Sequence, residues 1–559
     1  MKIRFGLIQK LASGEKINKT ASGKGKKNGK GQTRRQRKKV DMMPFNKKLA
    51  KAAERKELGS ALRIMSSIKK AGGRPDKHTY ANIINTCVRC DNITKAEEFL
   101  AEMRDTVGLS VVGHHRISFV MGFKRKVSRS NYWEGIVPPL FQVPMTTMLK
   151  GYASEGMRSK AQGLLGEMME KNIANDRSVS AFLRGCLRHG WFEAAVSAYE
   201  KASEKGITED GCRNVYAKIL SLAGRSSEAV ALNGLTGSTL ASVSTTMAVT
   251  TGDDKKAAEA AIKRAEAKLN EEERNMKSDG LKNKFGDHLI AEARRDLNAA
   301  KKFLASDTSV NVKPSFARFL YLPKSTEDQS TESRIVEGWK AIGLEQIVDD
   351  VKEFASSTLP KALDHGKLKI TEESRGICLE VGSGSGDWIL SRAKRDWSQQ
   401  WVASEFKFDR CASIRQKCLL EGPRNVHIVG GDARECLPML LPSSCVSEVH
   451  INFPEPPVWH DACAREGTGG DHLLTCDFFE ILHGLCRGSC VLRVVSDNEQ
   501  YLTTVRSEIG KLSGLWDSVE LRELTADDES EPSSYFDRMW KRGHRSSRYL
   551  LTAQCCKLD

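Results

Sequence analysis

Between Ile377 and Pro457 lie four blocks whose residue types can do chemistry: Ile377-Cys-Leu-Glu-Val-Gly-Ser-Gly-Ser-Gly386, Ala403-Ser-Glu405, Gly430-Gly-Asp432 and Asn452-Phe-Pro-Glu-Pro-Pro457. Gly382, Gly384 and Gly386 let a backbone turn tightly and approach a ligand with no side chain in the way. Glu405 closes the second apolar run, where a carboxylate can accept both hydrogens of a ribose diol. Asp432 closes the third, where an adenine amino group could be bound. A dinucleotide fold wants a glycine where Asp387 stands, which makes a nicotinamide or flavin the weaker reading. A glycine loop, a ribose carboxylate and an adenine-side Asp in this order point to S-adenosylmethionine. The fourth block sets a proline-locked carboxylate, Glu455, at the end of a further strand.

These residues need a scaffold. Each block is an apolar, strand-like run ending in acidic or glycine residues, with a helix-length segment before the next. That is the layout of an open, mostly parallel α/β sheet, whose ligands sit beyond the carboxyl ends of the strands. The chain has 559 residues, too many for one ordinary core, so two or three domains are expected, with the α/β domain over 334–559. The composition, 40% hydrophobic and 28% charged, is that of a soluble globular protein. No stretch approaches the roughly 20 apolar residues of a membrane span, which excludes an integral membrane protein of the helical kind.

The net charge of +17 is unevenly placed. Residues 1–40 hold fourteen Lys or Arg against Glu15 alone, which leaves +4 for the other 519 positions. Gly23–Gly31 is too polar and glycine-rich to pack, so residues 1–41 read as a basic, disordered tail. Three roles fit it: an organelle transit peptide, a nucleic-acid-binding arm or nuclear signal, or a solvated leader. The fifteen cysteines sit mostly inside apolar runs, which fits reduced thiols in a core. Cys87-x-x-Cys90 has no second ligand pair at finger spacing and His114-His115 are adjacent, so no metal site is expected.

Residues 42–232 are helical and periodic. Asp76-Lys-His-Thr-Tyr-Ala-Asn-Ile-Ile-Asn-Thr-Cys87 aligns with Asp176-Arg-Ser-Val-Ser-Ala-Phe-Leu-Arg-Gly-Cys186, and Lys95–Met103 aligns with Lys160–Met168. A helical hairpin of this length cannot bury its apolar face alone, so neighbours must stack into a solenoid. The segments resemble pentatricopeptide repeats at 42–76, 77–111, 142–176 and 177–210, interrupted by an insertion near 113–141 that contains Phe123-Lys-Arg-Lys-Val-Ser-Arg129. In that family the fifth and last residues of a repeat read one RNA base. By resemblance, Asn46 with Asp76 looks like a uridine reader and Thr146 with Asp176 like a guanosine reader, whereas Ala81 and Ala181 fit no code. So short an array is expected to orient an RNA whose identity is checked elsewhere. Residues 233–333, rich in Ala, Lys, Glu and Arg, read as a charged helical linker.

The four blocks, followed by Val495-Ser-Asp497 and the stretch Ser533–His544, resemble the tRNA (guanine-N7)-methyltransferases. That family has a Glu-Ile/Val-Gly-x-Gly-x-Gly loop, a following Glu, a Gly-Asp-Ala turn, Asn-Phe-Pro-Asp-Pro-Trp and a late Asp. The resemblance implies a Rossmann-like class I methyltransferase fold behind an all-α solenoid, and S-adenosylmethionine as donor. Glu380, Gly382, Gly384, Gly386, Glu405 and Asp432 fall at its donor-binding positions, Glu455 at the catalytic one, and Asp497, Ser533 and Asp537 at the nucleotide. This chain departs from the pattern at Glu455 for Asp, Pro457 for Trp, Trp459 at the lysine position and Phe536 at the Glu position beside Asp537. The loss of basic residues shifts RNA affinity onto the repeats and the tail.

Guanine N7 carries a lone pair that can attack a sulfonium methyl directly, so catalysis is mainly positioning. Glu455 could accept hydrogen bonds from guanine N1–H and its exocyclic amine and stabilise the cation that forms on the ring. The expected partner is RNA, foremost tRNA, with no membrane. Two rivals remain: an RNA-binding repeat protein whose methyltransferase domain is a non-catalytic scaffold, and a methyltransferase acting on another base, since Asn452-x-Pro454 resembles amino-group methyltransferase motifs. The repeat family favours a mitochondrion or plastid over the nucleus or cytoplasm.

Overall fold

The computed structural model describes residues 41–118, 138–250, 255–278, 284–305, 319–323, 334, 376–396, 398–421, 423, 425–456, 472–512, 514–525 and 547–556. The basic tail, most of the insertion, and Pro457, Trp459, Ser533, Phe536 and Asp537 lie outside these residues. Among the described residues no helix is long and apolar enough to cross a membrane.

The helical half runs α1 (Met43–Glu54), α2 (Leu58–Lys70), α3 (Lys77–Arg89), α4 (Ile93–Ser118), α5 (Pro138–Ser154), α6 (Arg158–Glu170), α7 (Asp176–His189), α8 (Phe192–Glu204), α9 (Asp210–Leu222) and α10 (Ser226–Ala231). Local chemistry sets several of the boundaries. Asp76 and Thr79 form a capping box at the start of α3, and Asn175 and Ser178 form one at the start of α7. Gly190, at φ +72°, ends α7 in the left-handed conformation that costs other residues energy. The helices α1, α3, α5, α7 and α9 pack side by side, so the first helices of successive hairpins line one face. Cys87 and Cys90 are buried in this core, and Cys90 donates its thiol to the Lys56 carbonyl at 3.3 Å. The fourteen described cysteines are all free thiols.

The segment predicted to be a connector does more than link. Its helices α11 (Gly237–Thr250), α12 (Lys255–Ser278) and α13 (Lys284–Ala305) bury Leu240, Val243, Ile262, Leu269, Leu297 and Ala300 in the same apolar cluster as the repeats. Helix α11 packs on α9 and so extends the row. None of the described Lys and Glu side chains that made this stretch read as exposed is buried in α12 and α13, and Glu272 accepts from Gly237 N–H at the start of α11.

The remaining elements are β1 (Phe319–Tyr321), β2 (Ile377–Val381), α14 (Asp387–Arg395), β3 (Gln400–Glu405), α15 (Phe408–Glu421), β4 (Val426–Gly430), α16 (Ala433–Leu440), β5 (Val446–Asn452), α17 (Cys476–Leu485), β6 (Cys486–Ser496), α18 (Glu499–Gly510), β7 (Trp516–Glu523) and β8 (Tyr549–Cys555). The sheet order is β1-β4-β3-β2-β5-β6-β8-β7. Pairing is parallel from β1 to β6 and antiparallel around β8, so the sheet is mostly parallel, as expected. The order reverses at β2, which pairs with β3 on one side and β5 on the other, and a switch point of this kind opens a ligand crevice. Strand β1 comes from the predicted linker. It fits because Gly430 leaves room for Tyr321, whose ring carbon would stand 2.6 Å from any Cβ there, and Gly431 for the Leu322 carbonyl at 2.3 Å.

Candidate active site

The four blocks converge at the carboxyl ends of β2, β3, β4 and β5. Strand β2 is buried along its whole length, and it carries Glu380 into the core beside the glycine loop. Glu380 is 2% exposed. Its Oε1 accepts a hydrogen bond from Asn452 Nδ2 at 2.9 Å, and its Oε2 is buried with no hydrogen-bond partner among the described residues. Burial raises this carboxyl to about 8; the bonds from Asn452 and Ser383 oppose the rise, and Glu405 and Asp387 add to it. A buried carboxylate oxygen without a donor is costly unless a ligand supplies one, and a cationic group answers it best.

Gly382 and Gly384 have φ of +75° and +57°, and a Cβ on either would meet nothing within 4 Å. Glycine is required there by conformation, and the space beyond the loop is open. Gly386, at φ +78°, is held against Ile414, 2.7 Å from where a Cβ would stand. Lys417 of α15 clamps the loop by donating to the Ser385 carbonyl at 3.0 Å and to Asp387 Oδ1 at 2.7 Å.

Glu405 is nearly buried, and its carboxylate already holds the loop: Gly384 N–H donates to Oε2 at 2.7 Å and Lys407 N–H to Oε1 at 2.9 Å. Arg410 Nη1 also lies 3.7 Å from Oε2, and a carboxylate offers about four acceptor sites, so capacity for further donors remains. Asp432 is spent differently. It caps α16 by accepting from Arg434 N–H, and its two oxygens also accept from Arg434 Nε at 3.1 Å and Nη2 at 2.6 Å. An adenine amine would have to share this carboxylate with the guanidinium.

Beyond β5 the chain turns at Phe453, whose φ of +50° is unusual for a bulky residue. Its N–H donates to the Val495 carbonyl at 2.8 Å, which pins the turn to β6. The backbone strain is therefore held by β6 on one side and by the Asn452–Glu380 bond on the other. Glu455 follows, exposed, on the Pro454–Pro456 segment. Asp497 sits half-buried just past β6, two residues beyond the Val495 that pairs with Asn452. Donor-side and acceptor-side candidates thus share one crevice; Ser533 and Asp537 lie outside the described residues.

The repeats' candidates are split. Asn46 Nδ2 donates to Asp76 Oδ1 at 3.1 Å, and Thr79 Oγ1 donates to Asn46 Oδ1 at 2.8 Å, so this pair is preorganised. Asp176 Oδ1 instead accepts from the Glu209 and Cys212 N–H groups at 3.0 and 3.1 Å, a structural duty at the next helix. Thr146 and Asp176 nevertheless line one groove of about 450 Å³.

Residues 374–547 match a family described as a putative methyltransferase, and 78–105, 143–173 and 177–207 match the pentatricopeptide repeat. The chain is 28% identical over 169 residues to a tRNA (guanine-N(7)-)-methyltransferase of Chlamydia muridarum, covering 30% of this chain and 70% of that one. It is 29% identical over 126 residues to the protein of the same name from Chlamydia pneumoniae, covering 22% and 54%. The Salmonella typhi protein of that name is 25% identical, covering 30% and 67%. The match to the second of these thus spans about half of its length. The hairpin 42–76, predicted as a first repeat, folds as α1 and α2 although it lies outside the matched repeats.

Proposed function

We propose that this chain, a pentatricopeptide-repeat array joined to a methyltransferase domain similar to tRNA (guanine-N7)-methyltransferases, transfers a methyl group to guanine N7 in RNA, with tRNA the substrate. The observation that carries it is the Asn452–Glu380 bond. It ties the acceptor loop to a buried carboxylate whose second oxygen awaits a cationic ligand. S-adenosylmethionine, when bound, supplies an electrophilic methyl group on a sulfonium.

Every other contribution comes from the chain. Glu380 holds the donor's positive end, Gly382 and Gly384 leave the space it needs, and Glu405, beside Arg410, accepts from a ribose diol. Glu455 accepts from guanine N1–H and the exocyclic amine, which aims N7 and offsets the charge that develops on the ring. Asp497, Ser533 and Asp537 position the nucleotide. No general base is required, because N7 bears no proton, and orientation of bound reactants supplies several kcal/mol. The basic tail serves as a transit peptide to a mitochondrion or plastid, which a fluorescent fusion of residues 1–60 checks.

The test uses the full chain, labelled methyl donor and unmodified tRNA. The reading predicts 7-methylguanosine in the product and none above background with Glu455→Ala. RNA binding with no donor affinity in a calorimetric titration would instead establish the non-catalytic scaffold.

A further inference from the structure

The repeats and the sheet meet along one seam. Helix α15, which follows β3 and the Glu405 loop, lies against α7, α11 and α13. His189 at the end of α7 stacks on Trp191 at 4.8 Å and meets Phe406 edge-on at 6.0 Å, and Phe192 meets Phe408 at 5.4 Å. Phe408 in turn contacts Tyr321 at 4.9 Å. The aromatic joint fixes the last turn of α7 beside the donor site.

A cationic row leads to that joint. Arg177, Arg184 and Arg188 follow one another at spacings of seven and four, which puts them on one face of α7. All three line the groove, with Lys150 of α5 facing them. Arg177, Arg184 and Lys150 are exposed, and none of the four makes an ion pair among the described residues. The groove's floor is small: a Cβ on Gly185 would stand 2.5 Å from Ala153 Cβ, so α5 and α7 are in close contact beneath it. Four cations over a floor of Ala, Ser and Gly outweigh Asp176, whose Oδ1 is already held by two amides, and suit a single-stranded polyanion. The row continues past the seam, because the His189–Phe406 contact joins the residue after Arg188 to the residue before Lys407.

We propose that Arg184, Arg188 and Lys407 form a phosphate track that carries a single RNA strand from the repeat groove across the seam to Glu455. The proposal rests on methyl transfer to an RNA guanosine and assigns its geometry. Arg177 to Arg188 spans about 17 Å of helix. At about 3.4 Å per stacked nucleotide, that row spans about five nucleotides of the strand. The acceptor therefore sits in an unpaired segment, and the cations of the seam replace those missing after Glu455.

The experiment uses the full chain and a labelled single-stranded oligoribonucleotide carrying photoreactive thiouridines. In a salt series, Arg184→Ala with Arg188→Ala flattens the slope of log affinity against log salt by about 1.4, near 0.7 for each lost phosphate contact, and Arg184→Lys with Arg188→Lys restores it. Crosslinks appear both on α7 and within residues 405–411, and Lys407→Ala removes the second set. On tRNA the double alanine variant raises KM at unchanged kcat. An unchanged slope, crosslinks confined to the repeats, or a duplex RNA or acidic peptide that displaces the strand overturns the track. Binding and crosslinking do not need turnover, so failure of the methyl-transfer reading is recognised separately, by absence of 7-methylguanosine with the wild-type chain.

Discussion

Donor binding should expel a proton, and Glu380 is its source. This carboxyl is raised from 4.5 to about 8 by burial, so at pH 7 about nine in ten unliganded molecules hold it protonated. The sign for stability follows. The unfolded chain releases this proton near the ordinary carboxyl range while the folded chain keeps it, so the unliganded fold loses stability as pH rises from about 4.5 to about 8, by roughly 5 kcal/mol in all. A cation placed on Oε2 reverses the preference and drives ionisation. Full ionisation on binding releases about 0.9 proton at pH 7. An α-amino group with a pKa near 7.8 takes up about 0.1 if it binds as the ammonium. The net, roughly 0.8 proton released, is measurable by titration calorimetry in two buffers of different ionisation enthalpy. Glu380→Gln should abolish the release and weaken donor affinity at least about tenfold. Wild-type release below about 0.2 proton, or release that survives Glu380→Gln, would refute the assignment of the cation to this carboxylate.

Four further outcomes are expected. Asn452→Ala removes the Asn452 bond to Glu380 Oε1, so donor affinity at pH 7 should fall and its optimum move to higher pH, read from binding profiles. Gly384→Ala places a side chain at φ +57° with open space around it and should cost about 1–2 kcal/mol, whereas Gly431→Ala meets the Leu322 carbonyl at 2.3 Å and should cost more, by denaturant unfolding. Asp432→Ala loses the α16 cap and its Arg434 pairing, for about 1–2 kcal/mol of stability, with donor affinity less affected than in Glu380→Gln. Phe408→Ala empties the joint between Phe192 and Tyr321 and should destabilise the chain by about 3–5 kcal/mol while raising KM for RNA.

Much of the site was legible in the chain. Glycine spacing, strand-ending acids and the order of four blocks identified an α/β sheet and the strand ends where its crevice lies, because a parallel strand advertises itself as a short apolar run and its functional residues sit at the run's end. The hairpin period was legible for the same local reason: helix caps such as Asp76 with Thr79 act within three residues. Charge composition misread 233–333 as a spacer, since a count of Lys and Glu does not tell which helix face they occupy.

The sequence by itself determined most of the elements, the open parallel sheet and the candidate carboxylates, all products of near-neighbour pattern. Only the tertiary structure decided how those carboxylates are used. Among the described residues Glu380, buried and bonded to Asn452 72 residues away, keeps one oxygen without a hydrogen bond; Asp432 is claimed by Arg434; Asp176 is claimed by the Glu209 and Cys212 amides. The repeats' position beside the Glu405 loop is likewise fixed by His189, Phe406, Phe192 and Phe408. Desolvation and hydrogen bonding depend on what surrounds a group in space, and residues more than two hundred positions apart supply that surrounding at the seam.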